Sequence, residues 1–254
     1  MFDCLGSAAL RWLEGGRDVV RALSREAEIL VENFRVGRME EWGLGYEALK
    51  AINPRLIMVR VTGFGQNVTQ SLDQLRAIVS ETGRKGAGLR VDLATAFDCP
   101  IDGTVPLDDV RRVFAEALRI APKAEFALCN TTGRADPMTV AKRFRSVMTD
   151  ASDEIVWAFH GHDTFWMGVA NALYAFDAGV TIIEGAAAGP GGCPFAPGTT
   201  GNTATEDLQF AFEQGGISTG IDRRKLLEVA DRIAALPRGK TAIHPRIVPR
   251  ERTV

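Results

Sequence analysis

The sequence predicts an α/β protein built on parallel strands, and two observations support this prediction. From about residue 89, strand-like and helix-like segments alternate with short loops between them. In addition, the loops that carry glycine and chemically reactive side chains follow the strands. Such a series forms either a (β/α)8 barrel or an open doubly wound sheet, and in both the functional groups lie at the carboxyl ends of the strands. We therefore expect any site at that edge.

Hydrophobic periodicity assigns the elements of the series. The predicted strands are Leu89 to Phe97, Glu125 to Cys129, Glu154 to His160 and Val180 to Glu184. The predicted helices are Leu107 to Ile120, Pro137 to Met148 and Phe165 to Ala178. Pro137 suits the first turn of a helix, and Gly179 suits a position just after a helix ends.

The first 66 residues have a different pattern, with two shorter helix-strand pairs. The predicted elements are a helix from Gly16 to Glu26, a strand from Glu28 to Phe34, a helix near Tyr46 to Ile52 and a strand from Leu56 to Phe64. A helix from Leu72 to Ser80 and a turn from Gly83 to Gly88 follow. We expect the last residues, 237–254, to form a flexible tail, because three prolines interrupt a polar segment.

Composition narrows the class of partner. The formal charge of −2 and the scattered basic residues argue against nucleic acid. No apolar run approaches the ~18 residues of a membrane span, and the N-terminus has no leader pattern, so we expect a cytoplasmic protein without a membrane partner. The four cysteines are widely and irregularly spaced, which predicts reduced thiols. A small-molecule substrate is the expected partner, and a homo-oligomer is compatible with the sequence.

His160 and His162 lie near the end of the run from Asp153 to Asp163, after the apolar residues 155–159. If that run is a strand, its two-residue period directs both imidazoles to the same side, at about the spacing that one metal ion needs. The alternative is that one ring packs in the core and the other caps the strand. The sequence favours the metal site, in which Asp163 could orient one of the rings.

A glycine- and proline-rich loop runs from Gly189 to Asn202. It is either an ordinary surface loop or a mobile loop that carries Cys193 to the site, where the thiol could act as an acid or base. Asn202 offers an amide oxygen that Mg²⁺ or Mn²⁺ accepts, although asparagine after glycine is also a common turn residue. Glu206 and Asp207 follow at a predicted helix start, where we expect capping groups rather than catalytic ones.

These motifs together resemble hydroxymethylglutaryl-CoA lyase over about residues 67–233. The matching segments are Ala96-Phe-Asp-Cys-Pro-Ile-Asp-Gly103, Cys129-Asn-Thr-Thr-Gly-Arg134, Phe159-His-Gly-His-Asp-Thr164 and Gly191-Gly-Cys-Pro-Phe-Ala-Pro-Gly-Thr-Thr-Gly-Asn-Thr-Ala-Thr-Glu-Asp207. The resemblance implies a (β/α)8 barrel that uses a divalent cation, Mg²⁺ or Mn²⁺, to cleave an acyl-CoA. It also implies that His160, His162 and Asn202 are metal ligands and that Cys193 delivers a proton to the product enolate.

The chain departs from that family in two places. The family has an aspartate, thought to help deprotonate the substrate hydroxyl, where this chain has Asn130, so Asn130 is expected to contact substrate without accepting its proton. The family's first strand carries an Arg-Asp pair that nothing in residues 1–88 matches. The predicted fold is therefore a partial TIM-type barrel, its C-terminal half, preceded by a short Rossmann-like βα fragment.

The segment from Glu28 to Gln66 is similar to family III CoA-transferases. The catalytic aspartate of that family lies beyond the matched segment, so the resemblance implies no transferase chemistry here. We predict a transferase-like fragment at 1–66, a lyase-like partial barrel at 67–236 and the tail at 237–254.

Two hypotheses of function follow from these resemblances. The first is a metal-dependent carbon–carbon lyase that cleaves a 3-hydroxy-3-methylacyl-CoA to acetyl-CoA and a keto acid. The second is a catalytically inactive fusion remnant that at most binds metal or acyl-CoA.

Overall fold

The computed structural model describes residues 16–27, 29–32, 38–60, 67–85, 88–191 and 201–235. These residues form two compact units. The N-terminal unit comprises the described residues of 16–89 together with 116–124, and the sheet unit comprises those of 90–115 and 125–235. The predicted tail lies outside the described residues. Within them, no helix is both long and apolar enough to span a lipid bilayer.

The N-terminal unit contains a two-stranded parallel sheet. Its elements are α1 (Gly16–Glu26), β1 (Ile29–Glu32), α2 (Arg38–Glu41), α3 (Tyr46–Ile52), β2 (Ile57–Arg60) and α4 (Val68–Lys85). An apolar cluster of Val20, Met39, Leu44, Leu49 and Leu56 forms the core of this unit. The buried amide of Asn53 donates to the carbonyls of Ser24 and Ala27, at 3.1 and 2.9 Å. Asn53 thereby satisfies carbonyl groups at the end of α1 that the helix itself leaves unpaired.

The helix predictions for this unit are confirmed for α1 and α3, whereas the prediction for α4 is wrong in length. The helix includes Gly83 and ends at Lys85, where a turn was expected. Thr82 does not interrupt the helix, because its hydroxyl donates to the carbonyl oxygens of Ile78 and Val79 in the preceding turn. Gly83 is exposed with open space around it, so the helix tolerates it at a modest cost in propensity.

The sheet unit is built on four parallel strands in the order β3-β6-β7-β8. The strands are β3 (Arg90–Leu93), β6 (Glu125–Asn130), β7 (Trp157–Gly161) and β8 (Ile182–Ile183), and a small hairpin consists of β4 (Asp98–Cys99) and β5 (Gly103–Thr104). The helices are α5 (Leu107–Ile120), α6 (Pro137–Met148), α7 (Gly168–Asp177), α8 (Thr205–Gln214) and α9 (Arg223–Ala234). Parallel pairing in a βα series confirms the predicted fold class, α/β, and places all four carboxyl ends at one edge.

The two faces of this sheet differ because side chains alternate along each strand. One face, the helix face, carries Phe126 and Trp157, which contact Phe114 of α5 with ring centroids 5.0 Å away in each case. On the same face, Phe144 of α6 packs against Trp157 and Phe159 at 6.2 and 6.1 Å. Aromatic rings in edge-to-face and tilted contacts therefore form the core between the sheet and its helices.

The opposite face, called here the inner face, is lined by smaller side chains. Ala127, Cys129 and Ala158 form a buried cluster there, with Ile182 packed against it. His160 follows on this face, because it is paired in register with Cys129.

Several element ends differ from the sequence prediction. β3 ends at Leu93 rather than Phe97, because Thr95 adopts a left-handed φ of 52° and its N–H bonds the Thr131 hydroxyl at 3.0 Å. The helix predicted from Phe165 begins instead at Gly168, whose N–H donates to Asp163 Oδ1 at 2.7 Å. Bonds between side chains and backbone N–H groups set both ends, and hydrophobic periodicity does not report them.

Phe144 offers a test of the core. It is fully buried, so Phe144→Ala should lower the free energy of unfolding by about 3–5 kcal/mol through lost apolar burial and a residual cavity. Urea unfolding followed by tryptophan fluorescence measures the change. Met138→Ala, at an exposed position on the same helix, is the control and should stay within about 0.5 kcal/mol of wild type. Equal effects of the two substitutions would contradict the described packing of α6.

Candidate functional site

His160 and His162 lie together at the carboxyl end of β7. Their ring centroids are 5.4 Å apart, with the ring planes at 75°. His160 lies on the inner face within β7, and His162 follows directly after the end of the strand at Gly161. The short distance between the rings agrees with the expectation that the two imidazoles share one side. His162 is buried, whereas the His160 side chain is partly exposed.

Asn202 is brought to the same place by a chain reversal. It forms an antiparallel bridge with His162, and the flanking bonds run from Asp163 N to Gly201 O at 3.1 Å and from Thr203 N to Gly161 O at 3.0 Å. Directly opposed residues of an antiparallel pair direct their side chains to the same face. Asn202 Nδ2 donates to Pro190 O at 2.9 Å, and this bond fixes the orientation of the amide.

Close backbone contact makes this reversal possible. A Cβ atom added at Gly201 would lie 1.6 Å from the carbonyl oxygen of Gly189, so only glycine fits there. Gly191 has a φ of +129° and approaches Asn202 so closely that a Cβ would lie 2.6 Å from Nδ2. Gly191 and Gly201 are thus explained by steric contact between the two ends of the loop.

Glu206 holds the start of the same loop. Both of its carboxylate oxygens accept the N–H of Ala188, at 3.1 and 3.0 Å, and the side chain is buried. Ala188 needs this support because its φ of 67° is left-handed. Glu206 and Asp207 do lie in the first turn of α8, as predicted, and Glu206 also holds the loop at Ala188.

Two charged residues of the site were missed by sequence reasoning. Glu184 Oε2 lies 3.0 Å from His160 Nδ1, and Glu184 Oε1 lies 2.7 Å from Arg90 Nη1. Arg90 Nε also bonds Asp92 Oδ1 at 2.8 Å. Burial opposes the charge of Glu184, but the bond to His160 and the Arg90 guanidinium outweigh it and lower the pKa of Glu184 to about 2. The two-residue strand period could have identified these residues, because it places Arg90, Asp92 and Glu184 on the inner face.

Cys129 is the buried neighbour of this group. Burial, reinforced by the negative charges of Asp92 and Glu184, raises the pKa of its thiol well above the usual range. It therefore stays a neutral, packing thiol, as expected from the cysteine spacing.

Asn130, the predicted substrate contact, is fully buried on the helix face. Its Oδ1 accepts the N–H of Ala135 at 3.3 Å, which ties down the loop after β6. Its role towards substrate stays a prediction. Cys193, the predicted catalytic residue, lies outside the described residues. In the part of the chain that the structure describes, no three His, Cys, Asp or Glu side chains cluster as a metal site.

The fold and the strand-end residues define the class: an α/β protein with a four-stranded parallel sheet, and with imidazole and amide groups gathered at the carboxyl ends of its strands. The HMGL-like family model matches residues 47–233, and the model for CoA-transferase family III matches residues 13–77. The chain belongs to the HMGL-like family. The two matches overlap, so the join predicted at residues 66 and 67 stays a prediction.

Curated relatives and solved structures agree with this assignment. The hydroxymethylglutaryl-CoA lyase YngG of Bacillus subtilis is 34% identical over 87% of this chain and 75% of its own length. The (R)-citramalyl-CoA lyase of Chloroflexus aurantiacus is also 34% identical, over 75% of this chain and 62% of its own length. Further matched relatives, such as the cytoplasmic 3-hydroxy-3-methylglutaryl-CoA lyase of Danio rerio, are spanned over about half their length, 52% in that case.

Among structures, the HMG-CoA lyase of Bacillus subtilis matches with a TM-score of 0.69 and 26% identity, over 92% of this chain and 79% of that chain. An HMG-CoA lyase from Acinetobacter baumannii, in complex with coenzyme A and 3-methylmalate, matches with a TM-score of 0.63 and 31% identity, over 72% and 62%. The fold of this chain is thus similar to that of the HMG-CoA lyases over most of its length.

Two glycine substitutions test the described loop contact. Gly201→Ala must displace the backbone near Gly189, so it should lower the free energy of unfolding by about 1–3 kcal/mol or more. Gly83→Ala, in an exposed helix with nothing within 4 Å, should instead raise it by about 0.4–1 kcal/mol. Urea unfolding of both variants and of wild type measures the two changes in the free energy of unfolding, which should have opposite signs. A neutral Gly201→Ala would refute the close approach of residues 189 and 201.

Proposed function

We propose that this chain is a metal-dependent carbon–carbon lyase acting on a 3-hydroxy-3-methylacyl-CoA, with hydroxymethylglutaryl-CoA as the first candidate. The observation that carries the proposal is the convergence of His160, His162 and Asn202 at one strand edge. Membership of the HMGL-like family supports it, as do the names of relatives that cleave hydroxymethylglutaryl-CoA or citramalyl-CoA. The proposed barrel is partial, with the Rossmann-like fragment before it.

The three residues fit a divalent cation by the chemistry of their donor atoms. Two imidazole nitrogens and one amide oxygen suit ions such as Mn²⁺, whereas Mg²⁺ prefers oxygen ligands. His160, His162 and Asn202 would hold the ion, which supplies Lewis-acid polarisation of substrate oxygens when bound. All three ligands are neutral, so we expect modest affinity compared with a site that contains a carboxylate.

The lyase reaction makes defined demands on the chain. The substrate hydroxyl loses a proton, its C–O bond becomes a carbonyl, and the adjacent C–C bond breaks. The electron pair of that bond becomes the enolate of acetyl-CoA, which then takes up a proton. We propose that Cys193 donates this proton. Asn130 cannot accept the hydroxyl proton, because an amide has no basic site at neutral pH.

A second candidate is a chain that binds metal or acyl-CoA without turnover, and Asn130 is the observation that favours it. Its Oδ1 accepts the Ala135 N–H and the side chain is fully buried, so it offers neither a base nor an exposed polar group to the site. The two candidates differ in turnover but share the metal site, so the binding and activity measurements separate them.

Metal binding tests what both candidates share. Titration of the chain with Mn²⁺ by calorimetry should show one weak site that is lost in His162→Ala, because that change removes one of three proposed ligands. His244→Ala is the matched control, since it removes the third histidine of the chain without touching the proposed ligand set. Equal Mn²⁺ binding by wild type and His162→Ala would mean that the histidines have a structural role.

Turnover separates the candidates. With hydroxymethylglutaryl-CoA and Mn²⁺ we expect turnover to be absent or barely above background, because the chain lacks both a base at position 130 and the Arg-Asp pair of the family. Loss of even one such group costs about 100- to 1,000-fold from the ~10 per second of an ordinary enzyme. Release of acetyl-CoA, followed by a coupled assay, measures it.

The same acetyl-CoA assay on two variants shows whether the proposed site is responsible for the wild-type rate. His162→Ala should abolish the residual rate, and a wild-type rate equal to that of His162→Ala would favour the binding-only candidate. Asn130→Asp should not restore an ordinary rate, because a carboxylate at this position would remain on the helix face beside Ala135 N. A wild-type rate near 10 per second would show that another residue replaces the missing base.

A further inference from the structure

The bond between His160 and Glu184 determines which ring nitrogen of His160 is left with a free lone pair for a ligand. The carboxylate oxygen Oε2 lies 3.0 Å from Nδ1, and both side chains are partly buried, with 27% of each exposed. An ionised carboxylate only accepts hydrogen bonds, so at this distance Nδ1 must carry a proton. In a neutral imidazole the other nitrogen, Nε2, then carries the free lone pair.

Arg90, from the opposite edge of the sheet, holds Glu184 in place on the inner face. Arg90 starts β3, one edge strand, and Glu184 follows β8, the opposite edge strand. The Arg90 guanidinium bridges the inner face, since Nη1 lies 2.7 Å from Glu184 Oε1 while Nε lies 2.8 Å from Asp92 Oδ1. Each Glu184 oxygen thus has its own partner, one on Arg90 and one on His160.

Backbone contacts fix the position of Glu184 as well. Its N–H donates to Phe159 O at 3.0 Å, which extends the pairing of β7 with β8 by one residue. The carboxylate therefore has little freedom to leave His160. The polar contacts on the inner face form a continuous chain from Asp92 through Arg90 and Glu184 to His160.

We propose that Glu184, held by Arg90, is a positioning residue that keeps the proton of neutral His160 on Nδ1 and so presents Nε2 as the metal-binding nitrogen. The inference rests on the proposed function in that His160 is taken as a metal ligand. A carboxylate that accepts from the second nitrogen of a ligand histidine fixes both the tautomer and the ring orientation. Neither residue was identified from the sequence motifs.

The tautomer of His160 can be measured without any metal. Protein labelled with ¹⁵N at histidine gives long-range ¹H–¹⁵N correlations that distinguish Nδ1–H from Nε2–H, and His162→Ala and His244→Ala assign the signals. In the neutral ring of wild-type His160, we expect the Nδ1–H form. In Glu184→Ala the Nε2–H form should become populated, whereas Glu184→Gln, whose amide oxygen still accepts a bond, should retain Nδ1–H.

Metal affinity provides the second measurement. Glu184→Ala should weaken Mn²⁺ binding by about 10- to 100-fold, the usual effect of losing such a partner of a ligand histidine. Arg90→Met should weaken it by less, because Glu184 keeps its bond to His160. Glu213→Gln is the matched control: its carboxylate bonds only Thr219 among the described contacts, so tautomer and affinity should stay as in wild type.

The outcomes separate this inference from the proposed function. An Nε2–H form in wild type, or an unchanged tautomer in Glu184→Ala whose fold is intact by its amide spectrum, overturns the positioning role. Arg90→Met that matches wild type in Mn²⁺ affinity overturns the part assigned to Arg90. If the tautomer shifts as expected but wild type binds no Mn²⁺, Glu184 does position His160, and it is the metal-dependent function that is overturned.

Discussion

The parallel pairing of β6 with β7 is the constraint on which the rest of the sheet unit depends. Its register sets Cys129 beside His160 and Leu128 beside Phe159. Because side chains alternate, one set of residues packs against helices while the other lines the inner face. A slip of one residue would send His160 into the aromatic core and Phe159 to the inner face. The burial of Phe159 against Phe144 therefore also determines where the imidazole lies.

The loop between β8 and α8 adds the one residue that the sheet cannot supply. Asn202 is far from His162 in sequence, and backbone bonds between residues 161–163 and 201–203 bring them together. Three local features stabilise that approach: a glycine at 201 where no Cβ fits, a left-handed turn at Ala188, and the buried carboxylate of Glu206 that holds the turn. Residues that are not proposed ligands, namely Ala188, Gly201 and Glu206, thus bring Asn202 to the two histidines.

Much of this arrangement could be predicted from residue patterns. The bounds of α5 and α6 follow from apolar periodicity and from Pro137, and the shared face of His160 and His162 follows from the two-residue strand period. The shorter β3 and the later start of α7 could not be predicted in this way, because side-chain bonds of Thr131 and Asp163 to backbone N–H groups end or begin these elements. The Thr131 bond joins two different loops, and the Asp163 bond lies within the loop that precedes α7; apolar periodicity reports neither of them.

The charges of the inner face show why a motif alone gives an incomplete account of such a site. Asn130 belongs to a strand-end motif, yet its side chain lies on the helix face and bonds Ala135 N. Arg90 and Glu184 belong to no motif in the sequence analysis. Nevertheless, the Glu184 carboxylate contacts the imidazole of His160, a proposed ligand, and Arg90 binds the other oxygen of the same carboxylate. The free energy that keeps Glu184 ionised despite its burial comes from Arg90 and His160 together. A substitution of Arg90 would consequently act on His160 without touching it, through the carboxylate that both residues share.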